Sequence, residues 1–135
     1  MKSVILAALI ASTATAPTPT TDAERARWTM ADMRSLATAI EAYAIDHKVY
    51  PEGASLDAIV AAIQPAYIRT APTRDAWGHA FVYRRGDGGE SYTLVSVGAD
   101  GVAQPETWAT TSERAAFDED AVFASGQLIR AWPLN

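Results

Sequence analysis

Three aspartates, Asp100, Asp118 and Asp120, have the residue type and setting to hold a hard cation. They sit in "GADGVAQPETWATTSERAAFDED", residues 98–120, a stretch with no clear strand or helix pattern. A structureless connection of about 20 residues is uncommon in a compact domain unless it is functional or disordered. Calcium takes about six to eight oxygens from carboxylates, backbone carbonyls and water. A turn at Asp100, a run of free carbonyls and an Asp-x-Asp pair offer such a set. If the chain is extended at "DED", Asp118 and Asp120 point to one side and Glu119 to the other. Two converging carboxylates repel unless a cation lies between them. The alternative is a solvated acidic loop that binds no metal. The D-x-[DN]-x-[DN]-G spacing of an EF-hand is absent.

A second cluster, "RDAWGHAFVYR" (residues 74–84), places His79 beside Trp77, Gly78 and Asp75. Gly78 and the strand-like run after it favour a turn role for His79, hydrogen-bonded to Asp75, over acid–base or metal chemistry. Trp77 reads as a core plug beneath the loop. His47 falls at the end of an apolar helical stripe, where a packed histidine at a helix C-terminus is the ordinary structural reading. The spacing of the two histidines gives no support for zinc. No serine or threonine has a nucleophile-elbow setting, and there is no phosphate-binding glycine loop. Glu41 with Glu52, and Asp57 with Asp75, read as solvated faces. No catalytic set can be named, so the expectation is a non-enzymatic chain.

Bulk properties narrow the partners. The chain has 135 residues and a net charge of −5, and its basic residues are scattered apart from Arg84–Arg85. Electrostatics therefore disfavour duplex nucleic acid and anionic lipid, and suit a cationic partner such as a divalent metal. The absence of cysteine excludes a disulfide framework, thiolate zinc and a cysteine nucleophile.

The positioning elements follow from pattern. "MKSVILAALIASTATA" has a lysine, a short apolar run over residues 4–11 and then small residues, the layout of a secretory signal peptide over residues 1–16. Cleavage after Ala14 or Ala16 would release a periplasmic or secreted chain. The apolar run is far shorter than the roughly 20 residues of a membrane-spanning helix, so no span is expected in the mature chain. "PTPTT", residues 17–21, is a tether, and residues 22–135 form one globular domain. Thr21 or Asp22 caps a helix from about Asp22 to His47, with Met30, Met33, Leu36, Ala37, Ile40, Tyr43, Ala44 and His47 on one stripe. Asp32, Arg34, Thr38, Glu41 and Asp46 are expected to face water. So long a helix exceeds the domain, and its first turns are expected to project. Ser55 caps a second, shorter helix that Pro65 stops. Strand-like runs follow at "HAFVYR", "SYTLVSVG" and "AVFASGQLIRAW"; the last folds back at Ser125–Gly126.

Four stretches, in this order, resemble the globular part of the major pseudopilin of type II secretion, the G-type subunit of the type IV pilin-like family. "DMRSLATAIEAYAIDHKVYPEG" (residues 32–53) is similar to its helix end and YP turn. "YIRTAPTRDAWGHAFVYR" (residues 67–84) resembles its Asp-x-Trp-Gly turn and first strand. "VSVGADG" (residues 95–101) and "DEDAVF" (residues 118–123) look like the opening and the close of its calcium loop. The resemblance implies an α+β pilin-like fold, with one long N-terminal helix and a short second helix on a small antiparallel sheet. It also implies structural Ca2+ at Asp100, Asp118 and Asp120, completed by loop carbonyls, and protein partners in a secretion or pilus-like machine. The chain departs from the family at several points. A prepilin leader with its glutamate in a long apolar helix is replaced by the short segment above. Ala76 and Ala80 stand where prolines are usual, and His79 where asparagine is. "SGQLIRAWP" adds a hairpin beyond the usual acidic end. These departures keep open a soluble periplasmic binding or structural domain that reuses the fold outside any secretion machine.

Overall fold

The structure, a computed structural model, describes residues 16–134. All but the last residue of the expected signal segment lies outside the described residues. Helix α1 (Asp22–His47) starts at a capping box: the Thr21 hydroxyl accepts from Glu24 N–H, and the Glu24 carboxylate accepts from Thr21 N–H. It ends at Lys48 in the left-handed conformation. Helix α2 (Leu56–Ile63) is capped by Ser55, whose hydroxyl accepts from Ala58 N–H at 3.1 Å. Four strands follow: β1 (Val82–Arg85), β2 (Tyr92–Ser96), β3 (Ala121–Ala124) and β4 (Gln127–Arg130). They form one antiparallel meander in the order β1-β2-β3-β4. The architecture is α+β, as the pilin-like resemblance implied.

Strand alternation separates the sheet's side chains into two sets. Tyr83, Leu94 and Phe123 share one face by register, and with Met30, Met33, Leu36, Ile40, Ile59 and Ile63 they make the main core. Val95 and Val122 are paired on the opposite face and are also fully buried. Loop 98–120 covers that face, reaching from β1 to β4. Trp108 lies over the Arg84 guanidinium, 4.5 Å from ring centroid to Cζ. Arg130 donates to Thr110 O at 3.2 Å, and Ser112 pairs with β4.

Several expectations need correction. The first turns of α1 do not project: Ala26, Thr29 and Met30 are fully buried. Thr29 Oγ1 accepts from Ala76 N–H at 3.0 Å, and Trp77 Nε1 donates to Asp22 at 2.8 Å. The surplus length lies at the other end. A helix of 26 residues spans about 39 Å, while the strands have only four or five residues. His47 is consequently exposed rather than packed, stacked on Tyr43 at 3.8 Å. Asp32 is half-buried instead of facing water, and burial raises its carboxyl pKa. Glu41 is half-buried and accepts from Tyr50 OH at 2.9 Å. Trp77 is a half-buried lid whose ring stands edge-on to Trp132, and Trp132 is the buried plug. The first strand begins at Val82, leaving His79 in the turn before it.

Candidate functional site

Loop 98–120 opens and closes at one point. Gly98 adopts a positive φ, and a Cβ there would lie 2.5 Å from Phe117 O and 2.8 Å from Glu119 O. Only glycine lets the two ends of the loop approach this closely. Ala99 N–H donates to Phe117 O at 2.7 Å and fixes the closure. The turn before β1 supports it from below. Buried Asp75 accepts from Trp77 N–H and His79 N–H through Oδ1, and from Ser96 OH through Oδ2. His79 Nδ1 lies 2.9 Å from Gly98 O. The histidine bonded to Asp75 is thus a turn residue, and it also carries the mouth of the loop.

The three aspartates occupy different environments. Asp100 is exposed, and its Oδ1 accepts from Val102 N–H at 2.9 Å in a local turn. Asp118 is exposed on a second turn, where Glu119 N–H donates to Ala116 O at 2.9 Å. That turn breaks the alternation an extended "DED" would impose, so the side chains of Asp118 and Asp120 take different directions. Asp120 is fully buried. Its Oδ2 accepts from Gln104 N–H and from Trp108 Nε1, each at 2.7 Å, while its Oδ1 is buried with no partner. Burial raises the Asp120 pKa most. The Trp108 and Gln104 hydrogen bonds oppose that shift, the Asp100 charge adds to it, and Arg130 opposes it. Glu119, from the same tripeptide, turns instead to Arg130 at 2.9 Å.

An unpartnered buried carboxylate oxygen costs about 1–3 kcal/mol, and more when it is charged. Asp120 Oδ1 therefore fits a cation, with the charge of Asp100 close enough to act on it. Among the described residues, no three acidic or histidine side chains are gathered as a ready metal cluster. Any ion held here would draw most of its oxygens from carbonyls and water, which suits calcium better than zinc.

Arg84, Gln104, Trp108, Arg130 and Trp132 anchor this loop, and sequence pattern did not single them out. Trp132 Nε1 donates to Glu119 O at 2.9 Å, and Ala115 N–H donates to Ala131 O at 3.0 Å, so the C-terminal hairpin holds the loop's far end. An aromatic residue isolated in a polar loop, as Trp108 is, was the one available signal. Of the other carboxylates named in the sequence, Glu41 accepts from Tyr50, and Asp75 is taken up by the turn and by Ser96 of β2. Among the described residues no helix is long and apolar enough to cross a membrane.

No curated protein matches the chain. The family model for type II secretion system (T2SS) protein G matches residues 18–111, which include both helices, β1, β2 and Asp100. Asp118, Asp120, β3 and β4 follow that stretch. With most of its length matched by that model, and with the long helix packed on an antiparallel sheet, the chain belongs to the type II secretion system protein G family.

Proposed function

We propose that the chain is an exported, non-enzymatic pseudopilin-like module of the periplasm or cell exterior. It acts through protein–protein contacts in or near a type II secretion or pilus-like system, and one structural calcium ion stabilises it. Family membership over residues 18–111 carries the protein-contact reading. The orphaned Oδ1 of buried Asp120 supports the metal. Asp120 would supply the first oxygen and Asp100 a further carboxylate; Asp118 would join them only by turning inward from its exposed position, and carbonyls between residues 98 and 117 would supply the rest. Calcium, when bound, supplies positive charge that offsets the carboxylates. The chain's own residues close the loop, bury Asp120 and hold its second oxygen through Trp108 and Gln104.

The metal part is tested by thermal melting in calcium and in chelator, on the parent and on Asp120→Asn. At a hundredfold calcium excess over Kd the parent should gain about 2.7 kcal/mol, and the variant should gain nothing. Magnesium should substitute poorly, because a loop of scattered carbonyls suits a larger and more flexible shell. A parent whose melting is the same in both buffers would leave Asp120 stabilised by Trp108 and Gln104 alone. The contact part is tested with a single cysteine at exposed Glu106, which is unambiguous in a chain with no cysteine. Cross-linking in the native host should recover a secretion-system or pilus-like component. Recovery of no such component would favour the fold's reuse outside the machine.

A further inference from the structure

The buried end of loop 98–120 holds unmet polar atoms of opposite kind. Asp120 Oδ1 is an acceptor with no donor, and Arg130 Nε is a donor with no acceptor. Both residues are buried, Asp120 fully and Arg130 to 5% exposure. Strand register brings them together. Val122 pairs with Arg130 across β3 and β4, and Asp120 stands two positions before Val122. A diagonal neighbour of this kind lies about 7–8 Å away on one sheet face, within reach of an arginine. Both side chains turn to the loop: Asp120 accepts from Gln104 and Trp108, and Arg130 donates to Thr110 O. The Arg130 charge also draws the Asp120 pKa down, against the effect of burial.

Arginine stays charged when buried and carries its N–H donors in a planar fork. One arm meets Thr110 O at 3.2 Å and another meets Glu119 Oε1 at 2.9 Å. A single cation on β4 thus holds the middle of the loop and its end. A buried carboxylate needs such a charge nearby, or it neutralises instead. Arg130 also lies beyond residues 18–111, in the C-terminal hairpin that the family model leaves unmatched. A divalent ion arriving at Asp120 Oδ1 meets this fixed positive charge. The two cations repel, and the free oxygen can serve only one of them well.

We propose that Arg130 is a resident cation of the loop site, which holds the loop closed without metal and competes with calcium for Asp120. It thereby sets the calcium level at which the site fills. This role rests on the calcium reading above and adds the residue that opposes the ion. Removing the arginine's charge then acts in two opposite directions: the metal-free chain loses stability, and calcium binds more tightly. A purely structural arginine would lower stability and leave calcium binding unchanged or weaker.

The test is calcium titration by calorimetry, with thermal melting in chelator, on the purified parent, Arg130→Gln and Arg130→Lys. R130Q should melt lower in chelator and bind calcium about fivefold more tightly, or better. That is the Coulomb effect of one charge on a divalent ion about 7–8 Å away, even in a water-like medium. R130K keeps the charge and should bind calcium as the parent does. R130Q that folds only when calcium is added supports the proposal, since the ion then replaces the arginine. If R130Q folds in neither buffer, Arg130→Met takes its place with the same expectation, because apolar residues of similar volume often replace buried charges without loss. A parent that binds no calcium beside a neutral variant that does is competition in its strongest form. A neutral variant that binds calcium no better than the parent overturns the proposal and leaves the calcium reading standing. Tighter binding by R130K, equal to that of R130Q, assigns the effect to geometry and overturns it too. Calcium binding by neither the parent nor the neutral variant overturns the calcium reading itself, and the competition with it.

Discussion

On the α1 side of the sheet burial is mainly apolar: Leu36, Ile40, Leu94 and Phe123 share one core, which also takes in the buried rings of Tyr83 and Tyr92. On the other side Val95, Val97 and Val122 are just as buried, but the cover is a loop held by polar contacts. Those contacts are Trp108 and Gln104 on Asp120, Arg130 on Thr110 and Glu119, and Trp132 on Glu119. Apolar burial stabilises in proportion to area and tolerates small shifts. A polar staple contributes only about 0.5–1.5 kcal/mol net, and breaking one leaves a buried orphan. The two faces should therefore fail differently. The helix side should unfold with the whole domain, while the loop side should open on its own.

The strongest way to break the comparison is a cavity on the helix side. Leu36→Ala or Ile40→Ala should cost about 2–5 kcal/mol by denaturant titration. Arg34→Ala, measured in dilute solution, should cost under about 0.5 kcal/mol and serves as the control. On the loop side, Trp108→Ala removes the donor to Asp120 Oδ2 and the ring over Arg84. It should cost about 1–3 kcal/mol and open residues 98–120 to proteases while α1 stays protected. Simultaneous cleavage of α1 and loop in that variant would show that the two faces are one unit.

The next effect is smaller. Thr21→Ala removes one arm of the capping box and should cost about 1 kcal/mol, read as earlier fraying of α1. The smallest is a pH dependence at the same cap. Hydrogen bonds from Thr20 and Thr21 N–H pull the Glu24 carboxyl from 4.5 down to about 2. A folded-state value below the unfolded one means its contribution is complete above about pH 4.5 and is lost as pH falls toward 2. Glu24→Gln should flatten the slope of Tm against pH in that window. An unchanged slope would mean the box does not bear on stability.

The two faces were also unequally legible. Period and caps gave α1, α2 and the hairpins because their determinants are local: Thr21 with Glu24, Ser55, and the apolar positions from Met30 to Ile40. The bounds of α1 were legible, but which of its ends outruns the domain was not, because periodicity does not say how long the sheet beneath it is. His47 continues the stripe past the point where the sheet ends. Thr29 looked polar and is buried, since its partner, Ala76 N–H, lies 47 residues away. In the candidate site, the acidic residues could be named from sequence. The division of labour among them could not: a turn at Asp118 sends that side chain outward, while Trp108, ten residues earlier, turns inward to Asp120. Contacts of that kind leave no periodic trace.

Native-state hydrogen exchange tests, amide by amide, the proposal that the loop-covered face opens as a separate unit and that a cation secures it. In chelator, the amides of Ala99 and Gln104, which close the loop and bind Asp120, should exchange faster than that of Ile40 in α1. Saturating calcium should slow Ala99 and Gln104 by about a hundredfold at a hundredfold excess over Kd. Loop amides as protected as Ile40 in chelator, or unchanged by calcium, would contradict the account.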